Sequence, residues 1–263
     1  MLTKLEELEL EYSNCTLCTL CNQCQTCILL KERPRHVVFG EGNPHADIMI
    51  IGEAPGRLES ETGKPYQGAA GVLINTFIDN VFLDRYKDIY ITNTVCCRPT
   101  MEVINDRTKE KCIGNRPPTK KELLACRPRL LETIYLVDPL LIITIGKIPL
   151  TTLCGKKSIS MPAIRGQMQT LLLPGRHIKI RYSVFPMYSA PFLLKTQDNR
   201  PEGPWGRTQF DWVKVCHIID YLRNVYYGIP QPNREDMAND RRIEIDNGEK
   251  SSRKVSKKRR RTE

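Results

Sequence analysis

Ile50-Ile51-Gly52-Glu53-Ala54-Pro55-Gly56, followed by Gly63-Lys64-Pro65-Tyr66-Gln67-Gly68-Ala69-Ala70-Gly71, decides the fold. An apolar run stops at Gly52, a stretch dense in glycine and proline follows, and helical periodicity opens at Gly71 with Val72, Leu73, Phe77 and Ile78 on one side. That order of strand, loop and helix is where open α/β sheets place a ligand, beyond the carboxyl ends of their strands.

Outward from this stretch, further apolar runs predict strands at Asp47 to Ile51, Asp88 to Thr92, Leu140 to Thr144 and His177 to Phe185. Helices are expected between them. Leu2, Leu5, Leu8 and Tyr12 mark a short N-terminal helix, Gly71 to Phe82 a second, Thr119 to Val137 a third and Thr208 to Tyr227 a fourth. The third opens on a Thr119…Glu122 capping box and carries Pro128, which predicts a kink or restart because proline removes a donor and crowds the preceding turn. Nearly continuous apolar strands alternating with helices imply a sheet covered on both faces. The expected architecture is a three-layer α/β/α sandwich around a mostly parallel four-stranded sheet. Its expected domain runs over residues 24–228, after an N-terminal segment 1–23, with a polar surface insertion at 101–114 and a tail at 229–263.

The chain has 263 residues, 40% of them hydrophobic, enough for a sizeable core. No stretch approaches the ~20 consecutive apolar residues of a membrane span, and Met1-Leu2-Thr3-Lys4-Leu5-Glu6-Glu7 is too acidic for a signal peptide, so a soluble intracellular protein is expected. Of the net charge of +10, the tail from Lys250 to Glu263 carries +7. This tail is read as a disordered arm giving salt-sensitive attraction to phosphates. Eleven cysteines without a secretion signal suggest metal or cluster ligands rather than disulfides. Cys15, Cys18, Cys21, Cys24 and Cys27 form an unbroken C-x2-C series, and Cys97 and Cys126 follow singly. Spacing alone does not separate zinc from iron–sulfur. Cys96, Cys112, Cys154 and Cys216 are read as structural.

Taken together, the Gly-Glu-Ala-Pro-Gly and Gly-x-Pro-aromatic-x-Gly-x-Ala-Gly motifs, the stretch Val38-Phe39-Gly40-Glu41-Gly42 and the Cys97-Arg98-Pro99 triplet resemble the iron–sulfur uracil-DNA glycosylases. The resemblance spans about Cys24 to Tyr227. It implies a 4Fe–4S cluster on Cys24, Cys27, Cys97 and Cys126, although the earlier cysteines repeat the same spacing and a shift of one step stays open. It also implies uracil-containing DNA as substrate, with a monomer expected. Asn93 matches the family's uracil-reading asparagine and Tyr66 its stacking aromatic, usually phenylalanine, while Gly52 and Ala54 bring backbone close to the base. Glu53 and Glu59 match acidic residues of the first motif. A carboxylate there can stabilise the positive sugar or orient water, or it can simply cap exposed N–H groups. Lys195, Arg98 and Arg165 fall where the family has basic residues facing DNA.

One departure bears on activity. The second motif usually reads Phe-Pro-x-x-His-Pro, but here it is Phe185-Pro186-Met187-Tyr188-Ser189-Ala190-Pro191-Phe192-Leu193-Leu194-Lys195, with Ser189 in the histidine's place. Losing one donor to developing charge costs on the order of 10² to 10³ in rate. None of His36, His45, His177 or His217 lies in this motif. The expected function is excision of uracil from DNA by hydrolysis of its N-glycosidic bond. The alternative is a catalytically weak or inactive DNA-binding or replication-associated module on the same fold, and a third reading is a redox sensor built on the N-terminal cysteines.

Overall fold

A computed structural model describes residues 2–20, 36–104, 109–155, 159–175, 179–198 and 200–228. The cysteine series from Cys21 onward, including Cys24 and Cys27, and the basic tail lie outside these residues, as does His177. Met1–Ile219 forms one compact unit; Asp220–Glu263 forms a second, described only for the last turns of the final helix.

Three of the four apolar runs become strands sealed on both faces. Strand β2 (Ile48–Gly52), β3 (Ile89–Asn93) and β6 (Leu141–Ile145) are buried at every position. With β8 (Lys179–Met187) they form a parallel core in the spatial order β3, β2, β6, β8. The first strand in sequence is flanked by the second and the third, so the chain winds in opposite directions from β2. This is the switch point at which crevices open.

The sheet has six strands rather than the expected four. A two-residue β1 (Glu41–Gly42) pairs antiparallel to β3 at one edge, and β7 (Gln169–Pro174) pairs antiparallel to β8 at the other. The expected surface insertion is a separate hairpin of β4 (Thr100–Ile104) and β5 (Lys111–Asn115).

Helices cover both faces. Met49, Ile51, Ile142 and Val184 meet Leu130, Ile134 and Val137 of α4 (Lys120–Val137) and Leu150 and Leu153 of α5 (Lys147–Cys154). The alternate positions Ile48, Ile50, Ile89 and Ile91 are also fully buried. On that side Phe77 of α3 (Ala69–Asp79) packs against Trp205 and Trp212 of α8 (Pro204–Tyr227). The remaining helices are α1 (Lys4–Ser13), α2 (Arg57–Thr62), α6 (Met161–Ile164) and α7 (Ala190–Thr196). The Thr119/Glu122 capping box forms as expected. Pro128 does not end α4: the donor it lacks would have served the carbonyl of Leu124, an exposed residue whose oxygen water can satisfy.

Candidate active site

The carboxyl ends of β2, β3, β6 and β8 open into a cavity of about 540 Å³. Gly52, Glu53, Ala54, Glu59, Tyr66, Asn93 and Ser189 all line it, which brings together every base-binding and catalytic residue expected from the sequence.

Gly52 and Asn93 are register partners at the ends of neighbouring parallel strands, so the Asn93 side chain lies beside a residue that has none. A Cβ added to Gly52 would stand 2.6 Å from the Tyr66 hydroxyl and closer still to Asn93 Oδ1. The absent methyl group is therefore the space in which amide and ring converge. Both side chains are buried, Asn93 at 4% exposure and Tyr66 at 9%. Burial, then the nearby Glu59 carboxylate, pushes the Tyr66 hydroxyl well above the usual phenol range, so it stays a neutral donor.

Three devices hold the Tyr66 loop. Tyr66 adopts a left-handed backbone with φ of 57°. Arg85 donates to the Pro65 carbonyl at 3.0 Å while also bonding Asn75 and Glu41. A Cβ at Gly71 would overlap the Tyr66 backbone, so glycine is what lets α3 begin so close.

The two acidic residues are used differently. Glu59 is buried at 8% exposure and its Oε1 accepts from the N–H groups of Gln67 at 3.2 Å and Gly68 at 3.1 Å. It ties the first loop to the second and caps α3, where Gly68 has no side chain to do so. The Glu53 carboxylate makes no hydrogen bond or ion pair among the described residues, and burial pushes its carboxyl above the ordinary value. The Glu53 backbone is fixed by a hydrogen bond from the Thr94 hydroxyl to its carbonyl.

Ser189 sits at the N-terminus of α7 with its hydroxyl unused as a cap. A Cβ on Gly146, whose φ is +99°, would approach Ser189 Cβ to 3.0 Å, so glycine at the end of β6 makes room for this wall. The rim holds two residues that sequence reasoning missed. Asn115, at the end of β5, accepts from Arg98 Nε at 2.6 Å, and Arg116 grips Glu122 through both terminal nitrogens at 2.8 and 2.6 Å. These contacts hold the Glu122 carboxyl down at about 2. The Asn115-Arg116 pair follows the hairpin, and no local periodicity announces where it folds back.

Two of the three expected DNA contacts are turned inward. Arg98 is 5% exposed and donates to Asn115 and the Ile113 carbonyl, which makes it a strut under the hairpin. Arg165 donates to the buried Asp211 at 2.6 Å and lies 5.6 Å over the Tyr188 ring. Lys195, in the last turn of α7, is exposed.

Behind the Ala54 wall, Cys97 and Cys126 are buried in one small cluster with Leu20 and Val95, and Cys18 and Ala54 pack against it. Burial, then the neighbouring thiols of Cys96, Cys126, Cys18 and Cys15, pushes the Cys97 thiol far up. Cys96 is raised to about 12, chiefly by burial. Among the described residues, no three Cys, His, Asp or Glu side chains are close enough to share a metal ion. The donors gathered here are thiols on apolar surroundings, chemistry that suits iron–sulfur or zinc. Cys96 belongs instead to a separate cluster with Leu8 and Phe39.

The arrangement is a cavity that gathers an aromatic ring, a side-chain amide and two carboxylates at the switch point of an α/β sheet. A model of the uracil DNA glycosylase superfamily matches residues 39–210. The chain is 38% identical over 165 residues to the Type-4 uracil-DNA glycosylase of Saccharolobus solfataricus, an alignment covering 62% of this chain and 68% of that protein. It is 32% identical over 164 residues to the Type-4 uracil-DNA glycosylase of Thermotoga maritima, covering 62% and 74%. With the enzyme of that name from Pyrobaculum aerophilum it shares 32% over 163 residues, covering 61% and 76%. The chain belongs to the uracil DNA glycosylase superfamily.

Proposed function

We propose that this protein removes uracil from DNA by hydrolysing the N-glycosidic bond. The observation that carries the proposal is the convergence of Asn93 and Tyr66 on Gly52 in the switch-point cavity. Uracil offers acceptor, donor and acceptor along its Watson–Crick edge, which a side-chain amide can pair with once the base leaves the stack. Tyr66 supplies the ring on which the base lies.

In the reaction, a water oxygen bonds to the sugar carbon as the bond to the base nitrogen breaks; the base departs with the electron pair, and the proton released by the water ends on the base through solvent. Positive charge develops on the sugar, and Glu53 is the carboxylate left to meet it or to orient the water, because Glu59 is committed to the loop. Ser189, in the wall of the cavity, takes the place of the donor to the leaving base. Its neutral hydroxyl makes a weaker bond to developing negative charge than a charged donor would. Lys195 is the exposed cation that fits a backbone phosphate.

The buried thiols fit a 4Fe–4S cluster, which would cross-link the segment after β3 to α4 and needs no part in the hydrolysis. Cys97 and Cys126 supply two ligands. Cys24 and Cys27, which the resemblance gives as the other two, lie outside the described residues; Cys18 packs against the Cys97 and Cys126 cluster, but no three thiols among the described residues are close enough to complete a site. The functional test is release of free uracil from a single strand by iron-loaded protein, with Asn93→Ala as control. Release by the wild type that Asn93→Ala loses supports the proposal, and equal release by both overturns it.

A further inference from the structure

We infer that Arg129 is a positioning residue for base recognition, holding the end of β3 so that the Asn93 amide faces the pocket. The inference rests on Asn93 as the base-reading residue.

Arg129 lies on α4 and is fully buried, at 0% exposure. Its Nη1 donates to Thr92 Oγ1 at 3.0 Å, and its Nη2 donates to the carbonyls of Asn93 at 2.7 Å and Thr94 at 3.3 Å. Thr92 Oγ1 in turn donates to the Phe39 carbonyl at 2.6 Å, and the guanidinium lies 5.6 Å over the Phe39 ring. None of the ion pairs among the described residues includes Arg129, and its Nε has no hydrogen-bond partner there. A buried guanidinium without a counter-charge is costly, and structural packing alone would be served better by an apolar side chain. What this cation does instead is gather Thr92 and Asn93 at the end of β3 and Thr94 just beyond it, around the one whose side chain reads the base. From the other side, Thr94 N–H donates to the Gly52 carbonyl at 2.9 Å. Asn93 is thus gripped between β2 and α4, with both of its backbone neighbours tied.

The same helix carries Cys126 one turn before Arg129. A cluster on Cys97 and Cys126 would therefore close the bracket between β3 and α4 at its other end. Arg129 touches neither base nor sugar; it acts through Asn93.

The test is a double-mutant cycle on iron-loaded protein, joining Arg129→Met with Asn93→Ala. It is read by single-turnover uracil release and by preference for a strand carrying uncleavable 2′-fluoro-2′-deoxyuridine over a thymine strand. Arg129→Met is expected to slow release about tenfold or more and erase most of the preference. In the Asn93→Ala background it should change either quantity by no more than about twofold, because the group it positions is gone. Arg129→Lys, which keeps the charge but not the fork, should fall between wild type and Arg129→Met. It replaces Arg129→Met in the cycle if that variant does not fold. An equal loss in both backgrounds, or a folded Arg129→Met that keeps rate and preference within about threefold, overturns the inference. Wild-type protein that neither releases uracil nor prefers the fluorinated strand would instead remove the base-reading role of Asn93, and the inference with it.

Discussion

Replacing Gly52 by alanine adds one methyl group at the point where Asn93 and Tyr66 meet. Gly52 ends a strand of ordinary extended backbone, so the change meets no conformational penalty of its own. The new Cβ would stand 2.6 Å from the Tyr66 hydroxyl, whereas unstrained carbon–oxygen contacts begin at about 3.3 Å. The ring must therefore retreat by at least ~0.7 Å and the Asn93 amide by more. A displacement of about 1 Å from productive geometry costs on the order of 10² in rate. Overpacking costs about 1 to 3 kcal/mol of stability, and each kcal/mol lowers the melting temperature by roughly 2 to 4 °C in a chain of this size. Gly52→Ala should thus fold, melt somewhat earlier, and release uracil about 10²-fold more slowly under single-turnover conditions. A folded Gly52→Ala whose rate stays within about threefold of wild type, or ~0.7 kcal/mol of barrier, would refute the convergence of the two side chains on this point.

Other outcomes follow from the same geometry. Burial raises the Glu53 carboxyl above 4.5, so the ionised form is reached only at higher pH, and the rate should fall with acid on a limb centred above that value. Glu53→Gln should slow release about 10²-fold and abolish the limb in a pH–rate profile. The same raised value means that ionising Glu53 costs stability as pH rises, so Glu53→Gln should melt no earlier than wild type at neutral pH. Glu59→Ala should lose about 1 to 2 kcal/mol by thermal melting, because it strips the acceptor from two loop N–H groups. Ser189→His should raise excision at least about tenfold in the folded, iron-loaded protein, and no gain would count against Ser189 facing the leaving base. Joint Cys24→Ser and Cys27→Ser substitution should empty the protein of iron and its visible absorbance, whereas Cys15→Ser with Cys18→Ser should not; the reverse pattern would move the ligands to the first pair.

The parallel core was legible because β2, β3 and β6 are short apolar runs sealed on both faces and β8 ends in a buried run, with the observed boundaries shifted by one or two residues. Edge strands carry no such signal. Two residues suffice for β1, and β7 is held by pairing with β8 rather than by a core of its own. The hairpin of β4 and β5 is polar and largely exposed, so its sequence reads as loop. In the site, the family resemblance carried by the glycine-rich motifs pointed to Gly52, Tyr66 and Asn93, and the family's second motif pointed to Ser189. Charged residues were the least legible. Arg98 and Arg165 look like solvent-facing cations in sequence, yet their partners Asn115 and Asp211 come from distant segments and draw them inward. Arg129 follows Cys126-Arg127-Pro128 with nothing local to show that it is fully buried.

The most direct measurement is alkali-induced cleavage of end-labelled single strands, identical except for uracil, cytosine or thymine at one position, after incubation with iron-loaded wild-type protein. The account predicts a break at uracil alone, the outcome expected if the pocket of Asn93 and Tyr66 admits that base and Ser189 suffices in the place of histidine. Intact uracil strands after exposure to folded protein that still binds them would contradict it.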